Sequence, residues 1–271
     1  MERIINCFAE QYKKDLSVYS ASFLQKCISQ RMHKYDFANF DEYGLMIKND
    51  ALEAAELIAS LNVPFSLFFR NSIDYAILER YVFPALLVRK SEEKKSLPRF
   101  WSCGCAGGQE AYSLVLLAHD LKQRNQECDL PIVFATDISQ SALLTAEEGI
   151  YSPAALNNLR YSQVKNYFSK VAGYYFLNPE IHKNVEFSNY NILEAGTSSP
   201  PSSIFGGFDL ICCCNLLIYY NEDAQRTIIN KLYNSLNRKG FLLVDESERT
   251  LVENFGGFKL YSAVSNLFFK Q

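Results

Sequence analysis

The sequence predicts an α/β protein in which a small all-helical domain precedes a mainly parallel β-sheet covered by helices. Two observations indicate this fold class. From residue 99 onwards, short apolar runs alternate with helical stretches, which is typical of parallel sheets. Before residue 90, apolar residues recur at helical spacing. We therefore expect a helical domain over residues 1–90 and an α/β domain over residues 91–271.

The helical pattern is clearest in "SASFLQKCISQRMHKY", where apolar side chains recur at spacings of three and four. These side chains are Phe23, Leu24, Cys27, Ile28 and Met32. The polar face of the same stretch carries the basic side chains Lys26, Arg31, His33 and Lys34. A solvated helix face is the favoured interpretation, and a docking surface for an acidic partner is the alternative.

The α/β domain contains four apolar runs that are predicted to be buried strands: "RFWSCGC", "IVFATDI", "FDLICCCN" and "FLLVDES". Between or after them lie the predicted helices "EAYSLVLLAHDLKQ", "SQSALLTAEEGI" and "DAQRTIINKLYNSLN". The last stretch, "FKLYSAVSNLFFK", predicts an antiparallel strand pair that closes one edge of the sheet. A Tyr-rich segment with β pattern predicts a small inserted β-subdomain at about residues 168–188.

Composition excludes several classes of protein. With 48% apolar residues, a net charge of −3 and no basic cluster, the chain is globular and has no footprint for nucleic acid. No uncharged apolar run approaches the length of a bilayer span, so we expect no membrane insertion and a cytoplasmic location. The oligomeric state is open, and a monomer is the default expectation.

Eight cysteines in a chain of this length, without a signal segment, favour thiols that act as small core residues. Five of them lie in two strand-like stretches, at Cys103, Cys105 and Cys212–Cys214. A metal site is the disfavoured alternative, because no CxxC pair is present and side chains on a strand alternate between its faces.

Polar residues follow the predicted strands where a parallel sheet binds ligands, at the carboxyl ends. Asn215 and Tyr219 come just after "FDLICCC", so we expect both to face a site. The alternative is that Asn215 caps the helix that starts near Glu222. Asn221 is better placed for that role.

A glycine-rich turn follows the first strand in "SCGCAGGQEAYS", and a helix begins around Glu110. Gly104, Gly107 and Gly108 allow a sharp turn and close approach of a ligand to the backbone. The GxxGG spacing differs from the dinucleotide fingerprint. The sequence contains no GK[ST] motif, which disfavours a nucleoside triphosphate as ligand.

Asp137 ends the second strand, where a carboxylate can accept hydrogen bonds from the ribose hydroxyls of an adenosine group. Alternatively, Asp137 or Ser139 caps the next helix. Upstream, "PFSLFFRN" contains Ser66 and Arg70. Arg70 is either a surface residue or a donor fork for a carboxylate, and its pattern alone does not decide.

In chain order, five segments resemble the successive motifs of the CheR-type chemoreceptor glutamate methyltransferases. They are "FSLFFRN", "FWSCGCAGGQEAYSLV", "ATDISQSALLTAEEGIYS", "YFSKVAGYYFLNPEIHKNVEFSNYNILE" and "FDLICCCNLLIYYNEDAQ". The resemblance covers about residues 20–271. Each motif is ordinary by itself, but their combination and order are highly specific.

This resemblance implies a Rossmann-like class I methyltransferase sheet and S-adenosylmethionine as methyl donor, with S-adenosylhomocysteine as product. The implied substrate is a glutamate carboxylate in the cytoplasmic helical region of a chemoreceptor, within chemotaxis signal transduction. Residues that match cofactor contacts are Ser66, Arg70, Glu110, Asp137, Asn191, Ile192, Cys213 and Cys214, beside the glycine turn at Gly104. Arg70, Asn215 and Tyr219 match the residues at the reacting end.

Three departures from the family pattern stand out. Cys214 occupies the place of a usual arginine, "GGQEAYS" replaces the usual acidic-acidic-proline sequence, and Ser66 replaces a threonine. The predicted β-subdomain also lacks the extra loop that holds a receptor's C-terminal peptide, which puts such tethering in doubt.

Two other functions are less favoured by the sequence. A nicotinamide-dependent oxidoreductase is disfavoured by the glycine spacing and by the absence of a histidine or lysine at a strand end. A sensor or interaction module that binds S-adenosylmethionine or its product with little catalysis is the alternative to the enzyme, because Cys214 removes a positive charge.

Overall fold

The computed structural model describes residues 1–63, 65–92, 97–124, 130–197, 199–203 and 207–271, with backbone alone for residues 88–92. The chain packs as two compact units. The first comprises residues 1–63 and 217–227, and the second comprises residues 64–216 and 228–271.

The first unit contains four helices from the amino-terminal part of the chain. They are α1 (Glu2–Gln11), α2 (Ala21–Lys34), α3 (Phe40–Asn49) and α4 (Ala51–Ser60). Asn39 and Asp50 cap α3 and α4 by accepting hydrogen bonds from first-turn amides. The apolar stripe predicted on α2 is buried at Leu24, Cys27, Ile28 and Met32, in one cluster with side chains of the other three helices.

Arg31 fits neither of the two roles predicted for the basic face of α2, a solvated surface or a docking surface, because its guanidinium is paired within the first unit. It lies against the fully buried carboxylate of Glu53 on α4, with Nε 2.8 Å from Oε1 and Nη2 in a second contact. The hydroxyl of Tyr43 donates to the same Oε1 at 2.5 Å. Burial alone would raise the pKa of Glu53, but the hydrogen bonds from Arg31 and Tyr43 outweigh it and hold that pKa at about 2. The exposed basic residues of α2 are therefore Lys26, His33 and Lys34.

We expect Glu53→Gln to destabilise the first unit by up to about 3–5 kcal/mol, because one partner of a buried ion pair is removed. The stabilisation is present above the ordinary glutamate pKa of about 4.3 and is lost as the pH falls toward the depressed value of about 2. Urea unfolding of wild type and variant at neutral and acidic pH measures the difference, which should shrink in acid.

The matched control is Glu56→Gln. Glu56 also pairs with Arg31, at 3.3 Å, but its side chain is 62% exposed. Exposed pairs contribute about 0–1 kcal/mol. Equal destabilisation by the two substitutions would contradict the importance of the buried contact.

The second unit is built around a seven-stranded sheet. Its strands are β1 (Arg99–Cys103), β2 (Ile132–Asp137), β6 (Val185–Asn189), β7 (Phe208–Cys213), β8 (Leu236–Val244), β9 (Phe258–Leu260) and β10 (Leu267–Lys270). Their order is β6-β2-β1-β7-β8-β10-β9. All neighbours are parallel from β6 to β8, whereas β10 runs antiparallel to β8 and β9. This order confirms the predicted Rossmann-like α/β sheet with an antiparallel pair at one edge.

A smaller sheet has three strands in the order β3-β5-β4, where β3 is Ile150–Tyr151, β4 is Phe168–Val171 and β5 is Tyr174–Leu177. The inserted β-subdomain thus starts earlier than expected. It also ends earlier than the predicted residue 188, because its last strand, β5, ends at Leu177. The short helix α10 (Pro179–His182) follows, and β6 then pairs with β2 in the main sheet.

The remaining helices are α5 (Ser72–Ile77), α6 (Phe83–Glu92), α7 (Gln109–Arg124), α8 (Gln140–Glu148), α9 (Tyr161–Tyr167), α11 (Glu222–Ser235) and α12 (Arg249–Phe255). Packing divides the chain earlier than the boundary expected near residue 90. Tyr75, Leu78 and Phe83 belong to the same buried cluster as Phe100 and Leu117. Helical periodicity predicted these helices but not the core against which they pack.

Candidate functional site

The strand order reverses between β1 and β7, which is where open α/β sheets bind ligands. From β1, the neighbours β2 and β6 continue in one direction, and from β7, β8 continues in the other. The carboxyl ends of β1, β2 and β7 therefore meet at one edge, at Cys103, Asp137 and Cys213. Asp137 is itself the last residue of β2, and the glycine turn and Asn215 follow the ends of β1 and β7, as the sequence predicted.

The glycine turn is tied to the end of β2. The amides of Gly104 and Cys105 donate to the carbonyl oxygen of Thr136 at 2.8 and 2.9 Å. Gly104 and Gly108 have φ values of +75° and +84°, a region that favours glycine. A Cβ on Gly108 would lie 2.9 Å from the Cβ of Ala146, so this turn also requires glycine for space.

Asp137 lies beside this turn. Its Oδ2 accepts from the amide of Ala106 at 2.9 Å and its Oδ1 from the amide of Ser139 at 2.8 Å. Burial raises the pKa of Asp137, and these amides partly offset the shift. The cap of α8 is Ser139, whose hydroxyl accepts from the amide of Ala142.

Glu110 lies on the first turn of α7, directly after the glycine turn in the chain. The hydroxyl of Ser102 on β1 donates to its Oε1 at 2.7 Å. Burial raises the pKa of Glu110 to about 7, although hydrogen bonds from Ser102 and Cys214 and the positive charge of Arg70 lower it. A carboxyl group with this pKa changes charge near neutral pH.

Arg70 belongs to a segment that is anchored on α7. The amide of the preceding Phe69 donates to Ser113 Oγ at 3.0 Å, and that hydroxyl donates to the carbonyl oxygen of Gln109 at 2.7 Å. Phe69 has a φ of +47°, so this bond stabilises a conformation that phenylalanine rarely adopts. The Arg70 guanidinium is exposed and lies 5.7 Å from the centre of the Phe65 ring. Ser66, between Phe65 and Phe69, is half-buried.

Asn215 follows β7 in a left-handed conformation, with φ of +59°. Its backbone amide donates to Oε2 of Glu248 at 2.9 Å, and the backbone amide of Asp245 donates to the same oxygen at 3.1 Å. Glu248 is fully buried. The side-chain oxygen of Asn215 is buried too, and no hydrogen-bond partner for it occurs in the described part of the chain. A buried acceptor of this kind is costly unless a ligand or water satisfies it.

Tyr219 belongs to the first compact unit. Its ring centre lies 4.7 Å from that of Phe23, and its carbonyl oxygen accepts from the amide of Ser20 at 2.9 Å. Asn221 caps α11, as predicted, because its Oδ1 accepts from the amide of Ala224 at 2.8 Å.

Asn191 and Ile192 follow β6, next to β2 in the sheet. Asn191 is exposed and its Oδ1 accepts from the amide of Leu193 at 3.0 Å, whereas Ile192 is buried. Both come after the carboxyl end of a strand that neighbours Asp137. They therefore lie on the same edge of the sheet as the glycine turn.

The cysteines at the sheet edge are core residues. Cys103, Cys105, Cys212 and Cys213 are buried, and Cys214 is half-buried. Burial raises the pKa of Cys105, Cys212 and Cys214 well above the ordinary value, so their thiols stay protonated. Among the residues with described positions, no group of three or more His, Cys, Asp or Glu side chains is placed to hold a metal ion.

Comparison with known proteins gives a family match over most of the chain. Residues 64–264 match the CheR methyltransferase, SAM-binding domain. The chain belongs to the CheR methyltransferase family. It is an S-adenosylmethionine-dependent methyltransferase, which confirms the predicted enzyme class and cofactor.

Several curated proteins are similar to this CheR methyltransferase. A chemotaxis protein methyltransferase of Listeria innocua is 29% identical over 88% of this chain and 85% of its own length. Chemotaxis protein methyltransferase 2 of Vibrio cholerae is 30% identical over 83% of this chain and 77% of its own length. An uncharacterised 104.1 kDa protein of Rhodobacter capsulatus is 28% identical over 96% of this chain, which spans 26% of that protein's length.

Two residues of the candidate site are not predicted from the sequence. Ser102, inside β1, faces Glu110 because alternate residues on a strand point to opposite faces. Glu248 follows β8, the neighbour of β7, and holds the backbone of Asn215. A carboxylate after a strand end in "FLLVDESE" was the signal for Glu248.

Within the described helices, none is long and apolar enough to cross a membrane.

Proposed function

We propose that this CheR methyltransferase transfers a methyl group from S-adenosylmethionine to glutamate side chains of a chemoreceptor or similar signalling protein. The observation that carries the proposal is the set of polar groups at the reversal point of the sheet: Asp137, Glu110 and Asn215. The relatives named chemotaxis protein methyltransferase support the substrate class.

The residues present fit the cofactor. Gly104 and Gly108 leave the backbone of the turn open to close approach by a ligand. Asp137 is already oriented by two amides at the strand end, where ribose hydroxyls can reach it. Glu110, once ionised, provides a negative charge for the ammonium group of the donor's amino-acid end. The buried and unpartnered oxygen of Asn215 indicates that a donor group from a ligand belongs beside it.

The donor supplies an electrophilic methyl group on a sulfonium. A glutamate side chain is already ionised at neutral pH, with an ordinary pKa of about 4.3, so the acceptor needs no general base. The protein must align the two reactants and exclude water from the acceptor carboxylate. Alignment of this kind can lower a barrier by about 7–11 kcal/mol.

Arg70 and Asn215 are proposed to supply this alignment, and the role of Tyr219 at the reacting end stays a prediction from the sequence resemblance. Arg70 orients the donor's carboxylate, or contacts one oxygen of the acceptor, because a bidentate grip on the nucleophile would stabilise the ground state and slow attack. Ser66, Asn191, Ile192, Cys213 and Cys214 are proposed to complete the cofactor pocket. Cys214 contributes a protonated thiol where the family usually has a positive charge, and this leaves Arg70 to balance Glu110.

The acceptor is proposed to be the acidic helical region of a receptor, approached by the exposed basic residues Lys26, His33 and Lys34 of α2. We place this reaction in the cytoplasm and expect the enzyme to act as a monomer without a C-terminal peptide tether.

Incubation of the protein with isotope-labelled S-adenosylmethionine and membrane or soluble fractions of the host tests the proposal. Base-labile methyl ester on a membrane-associated protein is the expected product. Binding of the donor without ester formation on any fraction would contradict the proposed reaction and favour a sensor.

We expect the affinity for S-adenosylhomocysteine to rise with pH between about 5.5 and 7.5, because the ligand's ammonium group needs an ionised Glu110. Glu110 has a raised pKa of about 7, so below that value binding must release its proton. Below that pH, the dissociation constant should therefore increase by up to about tenfold for each unit by which the pH falls. Calorimetry in buffers of different ionisation enthalpy measures both quantities.

Glu110→Gln is the control for this pH dependence. Its affinity should be lower and nearly constant over the same range. A wild-type affinity that does not change with pH would contradict the proposed contact between Glu110 and the ammonium group.

A further inference from the structure

Tyr151 connects the small sheet to the glycine turn. It lies on β3, is 3% exposed, and donates its hydroxyl to the carbonyl oxygen of Gly107 at 2.8 Å. The two residues are far apart in the chain, and the bond is fully buried. A side chain of the inserted β-subdomain therefore contacts the backbone of the turn directly.

The bond fixes one peptide group of the turn from both sides. Tyr151 holds the carbonyl of Gly107, and the amide of Gly108, in the same planar peptide group, donates to Cys105 O at 2.9 Å. Glycine restricts the backbone less than any other residue. Between Gly107 and Gly108, the orientation of the peptide therefore depends on these two hydrogen bonds.

The ring of Tyr151 is itself held in place by aromatic neighbours. It packs edge-to-face on Phe68 at 4.9 Å between ring centres, with Phe168 and Tyr112 at 6.4 and 6.5 Å. Phe68 belongs to the segment that carries Arg70, and Phe168 begins β4 of the small sheet. A shift of the small sheet would thus reach the turn through one rigid side chain.

We propose that Tyr151 is a positioning residue that sets the shape of the glycine turn for S-adenosylmethionine and couples cofactor binding to the order of the small sheet. The proposal rests on the proposed cofactor site at that turn. Coupling of binding free energies is reciprocal, so the cofactor stabilises the small sheet as much as the sheet favours the cofactor.

Tyr151→Phe tests the proposal because it removes the hydroxyl and keeps the ring. We expect the dissociation constant for S-adenosylhomocysteine to rise about 5- to 30-fold, since a buried carbonyl loses its partner. The KM for the donor should rise similarly, while kcat at saturating donor changes less than about twofold.

Tyr167→Phe is the matched control. Tyr167 is buried in the same unit, on α9, and donates its hydroxyl to Asp120 Oδ1 at 2.8 Å, on the surface of α7 away from the turn. It should lose similar thermal stability but keep the wild-type affinity. Unchanged affinity in Tyr151→Phe, or an equal loss in Tyr167→Phe, would overturn the proposal.

Hydrogen exchange provides the second readout. S-adenosylhomocysteine should slow exchange of the amides of β4 and β5 in the wild type and much less in Tyr151→Phe, at ligand concentrations that saturate both. Equal slowing in both proteins would overturn the coupling. Asp137→Asn distinguishes an error in the cofactor site from an error in the role of Tyr151. If Asp137→Asn binds the ligand with wild-type affinity, the cofactor site itself is misplaced. If Asp137→Asn binds weakly but Tyr151→Phe keeps the wild-type affinity, only the role of the tyrosine is wrong.

Discussion

Asp137→Asn is expected to weaken binding of S-adenosylhomocysteine by about 10- to 150-fold. The carboxylate is held at the end of β2 by the amides of Ala106 and Ser139, so its position for the ribose is set before the ligand arrives. Hydrogen bonds to a charged group contribute about 1.5–3 kcal/mol each, which corresponds to the stated range. Isothermal titration calorimetry at constant pH measures the change.

Asp120→Asn is the control for this substitution. Asp120 lies on α7 and accepts hydrogen bonds from Gln163 and Tyr167, outside the sheet edge. We expect it to lower stability without affecting ligand affinity. Wild-type binding by Asp137→Asn would exclude the ribose contact.

Arg70→Ala is expected to lower the methylation rate, as kcat/KM, by about 10²- to 10³-fold, the range seen when one preorganised donor is removed. The backbone next to Arg70 is anchored by the bond between the Phe69 amide and Ser113, and the charge of Arg70 acts on Glu110. Transfer of labelled methyl groups to a chemoreceptor fragment measures the loss. Arg70→Lys should recover part of the rate, because it restores the charge without the planar fork.

Arg80→Ala serves as the surface control, since Arg80 is an exposed arginine of the same chain region. It should retain the wild-type rate. If Arg70→Ala also methylates at that rate, the arginine has no part in aligning either reactant.

The strands that carry the site could be predicted because their signals are local. "FDLICCC" is apolar apart from Asp209, which is typical of a strand buried on both faces, and β7 is buried at every position. Asp137 and Asn215 follow such strands directly, so topology alone placed them at one edge. Asn221 was predicted as a helix cap from its position before Glu222, and the structure confirms it.

Long-range contacts could not be read from the same patterns. Arg31 looked like a surface residue because its partner, Glu53, lies on another helix. β6 was assigned to the inserted β-subdomain because the Tyr-rich segment before it also has β pattern, and pairing with β2 is a tertiary choice. The hydrogen bond from Tyr151 to Gly107 joins the segment "EEGIYS" to the glycine turn, and neither segment carries a local signal that indicates the other as its partner.

We expect the methyl donor to bind at the edge of the sheet where β1, β2 and β7 end. A crystal structure with S-adenosylhomocysteine tests it most directly. The ribose hydroxyls should lie within hydrogen-bond distance of Asp137, with the ligand against the Gly104 turn. A ligand bound elsewhere, with Asp137 still bonded only to backbone amides, would contradict it.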